Sequence, residues 1–151
     1  MTQQRSLITD EMRKAIGVES GPVANPVESR EIRRFADAIG DTNPLWNDPD
    51  KARKTRYGGM IAPPTFFRSF TVADPNVTID HGLQRLLDGG SEWDYFEPVR
   101  VGDMIYTSKK LVNMTEREGR MGKMLLLIWQ TSYKNQFGRL VATQKATHIW
   151  Y

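Results

Sequence analysis

A chain of 151 residues with 39% hydrophobic content has room for one domain and one apolar core, so residues 1–151 read as a single unit. The absence of cysteine excludes a disulfide scaffold, a zinc–thiolate site and a thiol nucleophile together, and fits a reducing, cytoplasmic compartment. The formal charge of +3 is dispersed without any block of about five or six like charges, so no nucleic-acid partner is expected.

No apolar run approaches the roughly 20 residues of a membrane span, and the polar opening MTQQRS is unlike a secretory signal. Residues 8–16 suit a short helix, capped by Thr9 or Asp10 and stopped at Gly17. Two prolines make 21–27 an extended stretch near a sheet edge. From Glu28 to Ile39 the apolar residues Ile32, Phe35, Ala36 and Ile39 fall at i, i+3, i+4 and i+7, one face of a helix. Glu28 and Glu31 suit its N-terminal dipole, and Gly40 is its natural terminator. Asp41 therefore stands just past a helix end, where a side chain can point into a cleft.

The stretch 38–65 is polar and broken by prolines, and it gathers Asp41, Asn43, Trp46 and Asp48 before running through Gly58-Gly59 to Pro63-Pro64. Long irregular segments are functional or disordered, and Leu45, Trp46, Tyr57, Met60 and Ile61 argue against disorder. Residues 65–73 read as a mostly apolar helix with Pro64 in its first turn and Pro75 limiting its length. Residues 74–88 form a loop carrying His81, with room for a short strand.

The C-terminal half reads as strands. Residues 91–96 alternate, with Trp93 and Tyr95 on one side. A turn over 98–103 leads to a strand over 104–114, and 116–122 is a polar turn. Residues 123–133 suit a strand covered on both faces, although periodicity leaves a helix open for so short an apolar run. A hairpin turn over 135–138 leads to a last strand over 140–151. Helices followed by four long antiparallel strands make an α+β domain, a sheet with a helix against one face.

Two groups of segments carry a resemblance. The first is Ile39-Gly40-Asp41-Thr42-Asn43-Pro44-Leu45, followed by Tyr57-Gly58-Gly59-Met60-Ile61-Ala62-Pro63-Pro64-Thr65; the second is residues 93–103 (WDYFEPVRVGD) with 133–138 (YKNQFG) and Val141-Ala142. In this order and spacing they resemble the MaoC-like (R)-specific hydratase/dehydratase family, in its N-terminal, FAS1-type dehydratase-like branch. The resemblance covers the chain from about residue 27 to the end. It implies a hot-dog fold, an antiparallel sheet wrapped around a central α-helix, with sheets that pair between subunits. It also implies acyl thioesters of coenzyme A or acyl carrier protein as ligands, and no cofactor or metal beyond that carrier.

Hydration of a 2-enoyl thioester, or dehydration of a 3-hydroxyacyl thioester, needs a group to deprotonate water, a proton donor for the α-carbon and N–H donors for the thioester oxygen. In active members an Asp of GDxNPxH and its His share the proton work, and a backbone N–H at the start of the central helix polarises the carbonyl. Residue by residue, Asp41 matches the acid, and Asn43 and Pro44 match the loop that shapes it. The histidine position holds Trp46, which donates a hydrogen bond but exchanges no proton. The glycine position holds Pro64, which has no N–H. The implied ligand-binding set is Asn43, Trp46, Tyr57, Gly59, Met60, Thr65 and Phe66, with Asp41 as the catalytic candidate.

Three functions fit these residues. A subunit whose chemistry is completed by a second hot-dog chain, as homodimer, heterodimer or heterotetramer, fits best. A self-sufficient hydratase using Asp41 alone, with Thr65 or Phe66 supplying the N–H, is the second, and a non-catalytic acyl-thioester binding module the third. At the level of single residues, Asp41 either works beside the ligand or braces its own loop. Trp46 either lines the ligand cavity or packs, and Gly58-Gly59 marks either a close approach to ligand or a turn. His81 and His148 have no metal-ligand spacing; His148 reads as structural and His81 as a loop residue. Arg117, Arg120 and Lys123 either meet coenzyme phosphates or sit on a solvated hairpin.

Overall fold

The computed structural model describes residues 6–151, so most of the polar N-terminal hexapeptide lies outside the described residues. Five antiparallel strands form one sheet in the order β1-β3-β4-β5-β2. They are β1 Val23–Pro26, β2 Leu86–Tyr95, β3 Met104–Gly119, β4 Gly122–Lys134 and β5 Leu140–Trp150. The stretch with two prolines becomes the short edge strand β1, since an edge position tolerates a residue without an N–H.

β3 and β4 run past the expected turn over 116–122, pairing down to Gly119 with Gly122 and leaving two residues for the reversal. Polar side chains at 116–118 do not stop a strand whose backbone is paired and whose outer face meets water. The apolar run 124–129 is strand, bonded to β3 on one side and β5 on the other. Leu125 and Leu127 are buried while Leu126 and Ile128 are half-buried, so one face of β4 carries the core.

At the other edge, β2 pairs only with β5, through a bulge between Asp88 and Ser91. Gly89 and Gly90 make that bulge. A Cβ on Gly89 would meet the Thr147 carbonyl oxygen at 3.0 Å, and Gly90 holds a φ of 96°. Nearly all of β2 is exposed, including Leu86, Leu87 and Tyr95, and Phe96 beyond it is 58% exposed.

Among the described residues, four short helices precede the long strands: α1 Asp10–Arg13, α2 Ser29–Ala38, α3 Pro44–Asn47 and α4 Pro49–Arg53. α1 is capped by Thr9, whose side chain accepts from the Met12 N–H. α2 buries Ile32 and Ala36 as its periodicity requires, but Ile39 is 49% exposed because the helix has ended before it and Gly40 turns at φ 70°. None of these helices is long and apolar enough to cross a membrane.

The segment expected as a helix over 65–73 is a 3₁₀ turn, Pro64–Ser69, followed by irregular chain as far as β2. The Asn25 side chain accounts for its end: its Oδ1 accepts the Thr71 N–H at 2.8 Å and its Nδ2 donates to the Thr71 carbonyl at 3.0 Å. Thr107 Oγ1 donates a second bond to that carbonyl at 2.7 Å. Thr71 is thereby held against β1 and β3, with both backbone groups taken out of a helix ladder. The sheet packs on this central segment through Phe67, whose ring meets Tyr133 edge-on at 5.0 Å. Two apolar clusters result. One joins α2, Trp46, Met60, Phe66 and Phe67 to β3–β5, and the other joins Met12, Leu111, Leu125 and Leu127.

Candidate functional site

The loop after α2 is built by two successive caps. Asn43 caps α3, its Oδ1 accepting from the Leu45 N–H at 3.0 Å, and Asp48 caps α4, accepting from the Asp50 and Lys51 N–H groups at 3.1 Å. Each cap is followed by a proline in the first helical turn, where a missing N–H leaves nothing unpaired. The Lys51 N–H above all holds the Asp48 carboxyl below its ordinary range. Asn47 ties the loop together, donating to the carbonyls of Asp41 and Asn43 at 2.9 Å each. Asp41 Oδ1 accepts the Asn43 N–H at 3.0 Å, an Asx turn that points this oxygen back into its own loop.

This scaffold seats Trp46 in the core, 9% exposed, against a cavity of about 570 Å³. Tyr57, Ile61, Pro64, Phe67 and Tyr95 are among its other walls. Residues 60–62 run between α3 and the 98–103 loop. The Ile61 N–H donates to the Leu45 carbonyl at 3.2 Å and the Ala62 N–H to the Val99 carbonyl at 2.8 Å. Arg56 lies at the exposed rim, bonded to the Tyr57 hydroxyl at 2.7 Å and stacked on its ring. The Nε1–H of Trp46 is buried and has no hydrogen-bond partner among the described residues.

Of the sequence-predicted site, Trp46 and Tyr57 meet in this cavity together with Pro64. Phe66 turns away to a second cavity beside Phe35, Phe70 and Asn25, and its N–H donates to the Pro63 carbonyl at 2.9 Å. Asp41, Asn43, Gly59, Met60 and Thr65 line neither cavity. Asn43 is an exposed helix cap, Met60 is buried in the core, and Thr65 is exposed. Gly58 holds a φ of 68° and a Cβ on Gly59 would meet nothing within 4 Å, so this pair makes a turn.

Sequence reasoning missed Arg56, Phe96 and Val99, which reach the cavity from loops far apart in the chain. It also missed a polar band on one face of the sheet. There Lys109, Trp129 and His148 line two adjoining cavities of about 220 and 430 Å³. The signal available was the period-2 alternation of β5, which puts Gln144, Ala146, His148 and Trp150 on one face.

Lys109 Nζ pairs with Asp74 at 2.6 Å and lies 4.8 Å from the Trp129 ring centroid. Burial holds both histidines below their ordinary value, with Lys109 adding to the effect on His148. His81 packs tilted against Trp150, ring centroids 4.6 Å apart, while its Nδ1 accepts the Leu83 N–H at 3.1 Å. Tyr133 is buried beside this band, which pushes its hydroxyl up to about 12. Arg117, Arg120 and Lys123 lie at the far β3–β4 hairpin.

Comparison with known proteins bears on the family and the fold. A UPF0336 protein of Saccharopolyspora erythraea is 32% identical over 142 residues, spanning 89% of this chain and 87% of that protein. A probable enoyl-CoA hydratase alpha subunit of Thermomonospora curvata is 26% identical over 139 residues, spanning 80% of this chain but only 44% of that protein. In structure, a chain of the ChsH1-ChsH2 complex from Mycobacterium tuberculosis superposes with a TM-score of 0.82 at 18% identity, over 94% of this chain and 89% of that one. The family model described as FAS1-like, dehydratase domain region, matches residues 14–144. The chain therefore belongs to the FAS1-like dehydratase-region family, among the MaoC-like hot-dog proteins.

Proposed function

We propose that this chain, as one domain over residues 1–151, is the non-catalytic or weakly catalytic half of a 2-enoyl/3-hydroxyacyl thioester hydratase-dehydratase in cytoplasmic fatty-acyl metabolism. The carrying observation is that Trp46, at the position of the family's histidine, and Pro64, at the position of its N–H donor, face one cavity. Losing an acid–base partner costs about 10²–10⁴ in rate. Losing an oxyanion donor costs about 10²–10³, although such losses need not multiply. A second hot-dog chain with an intact Asp-His pair would supply the acid–base partner.

The exposed edge of β2 supports pairing with such a chain. This ten-residue strand pairs on one side only, with Leu86, Leu87 and Tyr95 uncovered, and natural proteins seldom leave an apolar edge unmanaged. The structural neighbour is itself half of a two-protein complex, which supports the same reading. In this arrangement Tyr57, Met60 and Phe66 shape or back the acyl cavity, Asn43 holds its loop, and Gly59 and Thr65 flank it. Asp41 is the loop carboxylate at the position of the family's acid.

The test mixes the purified chain with the GDxNPxH-bearing hot-dog chain encoded beside its gene and follows hydration of a 2-enoyl-CoA. Co-elution with a rate above that of the partner alone is expected. Separate elution with no gain in rate overturns the proposal. A second reading, a binding module without turnover, is favoured by the Asx turn of Asp41, which commits one carboxylate oxygen to the backbone. Acyl-CoA binding with no partner and no turnover would select it. For the self-sufficient enzyme the Phe66 N–H is already bonded to the Pro63 carbonyl, which leaves Thr65 as its candidate donor.

A further inference from the structure

We infer that the indole N–H of Trp46 holds the carbonyl oxygen of the bound thioester, taking over the donor role that Pro64 cannot fill. The inference rests on the thioester-binding reading and adds to it the group that recognises the carbonyl. Trp46 is more than nine-tenths buried, and its Nε1–H is a donor without an acceptor among the described residues. Buried donors in folded proteins are nearly always paired, so an unpaired one beside a cavity calls for an acceptor that arrives with a ligand.

Three neighbouring donors on this cavity already have acceptors. The Ile61 and Ala62 N–H groups bond Leu45 and Val99, and the Tyr95 hydroxyl donates to the Pro64 carbonyl at 3.1 Å. At about 570 Å³ and walled by Leu45, Ile61, Ala62, Phe67 and Val99, the cavity has the size and character of a small-molecule site. An indole N–H only donates and carries no charge, so it suits a neutral oxygen such as a thioester carbonyl. Arg56 stands at the exposed rim, where an anionic part of the same ligand would remain in water. Trp46 cannot exchange a proton near neutral pH, so the role assigned is positioning.

The test compares octanoyl-CoA with its thioether analogue S-octyl-CoA, which keeps the chain and the carrier but lacks the carbonyl. Affinities are measured by calorimetry for the full chain, alone and mixed with its catalytic partner. The wild type is compared with Trp46→Phe and with a variant carrying benzothienylalanine at position 46, which retains the ring shape and loses the N–H. The wild type is expected to prefer the thioester by about 5- to 150-fold, the worth of satisfying one buried donor. Both variants should lose that preference while their thioether affinity stays within about threefold, and benzothienylalanine covers the case in which phenylalanine disturbs the packing. In ¹H–¹⁵N spectra, the indole cross-peak absent from Trp46→Phe should shift with octanoyl-CoA and not with S-octyl-CoA.

A thioester preference that survives in both variants overturns the role of Trp46 and leaves the thioester reading standing. Equal wild-type affinity for both probes overturns it as well. Absence of binding by either probe, alone or with the partner, overturns the thioester reading and this inference together.

Discussion

The hydroxyl of Tyr95, near the end of the edge strand, donates to the carbonyl oxygen of Pro64 at 3.1 Å and so ties β2 to the first residue of the central 3₁₀ segment. The same ring stacks on Trp93 at 5.8 Å and meets Phe67 at 5.6 Å. This contact joins the two parts of the molecule given separate roles, the pairing edge and the cavity wall. Tyr95→Phe keeps the rings and removes one hydrogen bond, so a loss of about 0.5–1.5 kcal/mol is expected, read as a fall in Tm of a few degrees. An unchanged Tm would mean that water replaces the contact at no cost.

Gly89→Ala should weaken the sheet edge. The added Cβ meets Thr147 Cγ2 at 2.9 Å, which can rotate away, but also the Thr147 carbonyl oxygen at 3.0 Å, which belongs to a paired strand. A loss of about 1–3 kcal/mol is expected from overpacking, measured by urea unfolding. Association with a second hot-dog chain, followed by sedimentation, should fall with it.

Leu87→Lys tests pairing without disturbing the fold. Leu87 is exposed on an edge strand, so the substitution should change chain stability by less than about 0.5 kcal/mol. A lysine on a pairing edge opposes strand addition, and complex formation should drop by an order of magnitude or more. Undiminished association would place the interface elsewhere.

Asp41→Asn separates bracing from proton transfer. Asparagine can still accept the Asn43 N–H through its side-chain oxygen, so the loop should keep its stability within about 0.5 kcal/mol. If the partner supplies the acid–base pair, the rate of the assembled complex stays within about threefold of wild type. A fall of about 10²–10⁴ would instead assign the proton work to this carboxylate.

Stability should be greatest between about pH 6.5 and 10, for reasons located at His148 and Tyr133, which line one cavity. Burial lowers the His148 pKa from 6.5, so its contribution is present above that value and is lost as pH falls through the lower folded value. Burial raises the Tyr133 hydroxyl from 10.0 to about 12, so its contribution is full below pH 10 and lost as pH rises toward 12. His148→Gln should flatten the acid limb and Tyr133→Phe the alkaline limb of a Tm-versus-pH curve. A limb that survives its substitution would show that another group controls it.

The elements legible in the sequence were those specified by local chemistry. α2 followed from four apolar positions and a terminating glycine, and β1 from prolines that belong at an edge. The caps at Asn43 and Asp48 are Asx-Pro pairs, yet the long prolines-and-polar stretch read as irregular, because helices of four or five residues leave no periodicity to detect. The central helix failed for a different reason. Its apolar residues suited helix, but the Asn25 side chain, 46 residues away, holds the backbone of Thr71 in another conformation.

By itself the sequence determined the family, the order of helices before the long strands, and the presence of tryptophan at 46 and proline at 64, since these depend on residue identity and spacing. Only the tertiary structure decided that Trp46 and Pro64 share one cavity, that Asp41 bends an oxygen toward its own loop, and that Lys109, Trp129 and His148 meet on one face. Those outcomes depend on strand register and on hydrogen bonds between distant residues. A one-residue slip in pairing would send the same side chains to the opposite face of the sheet.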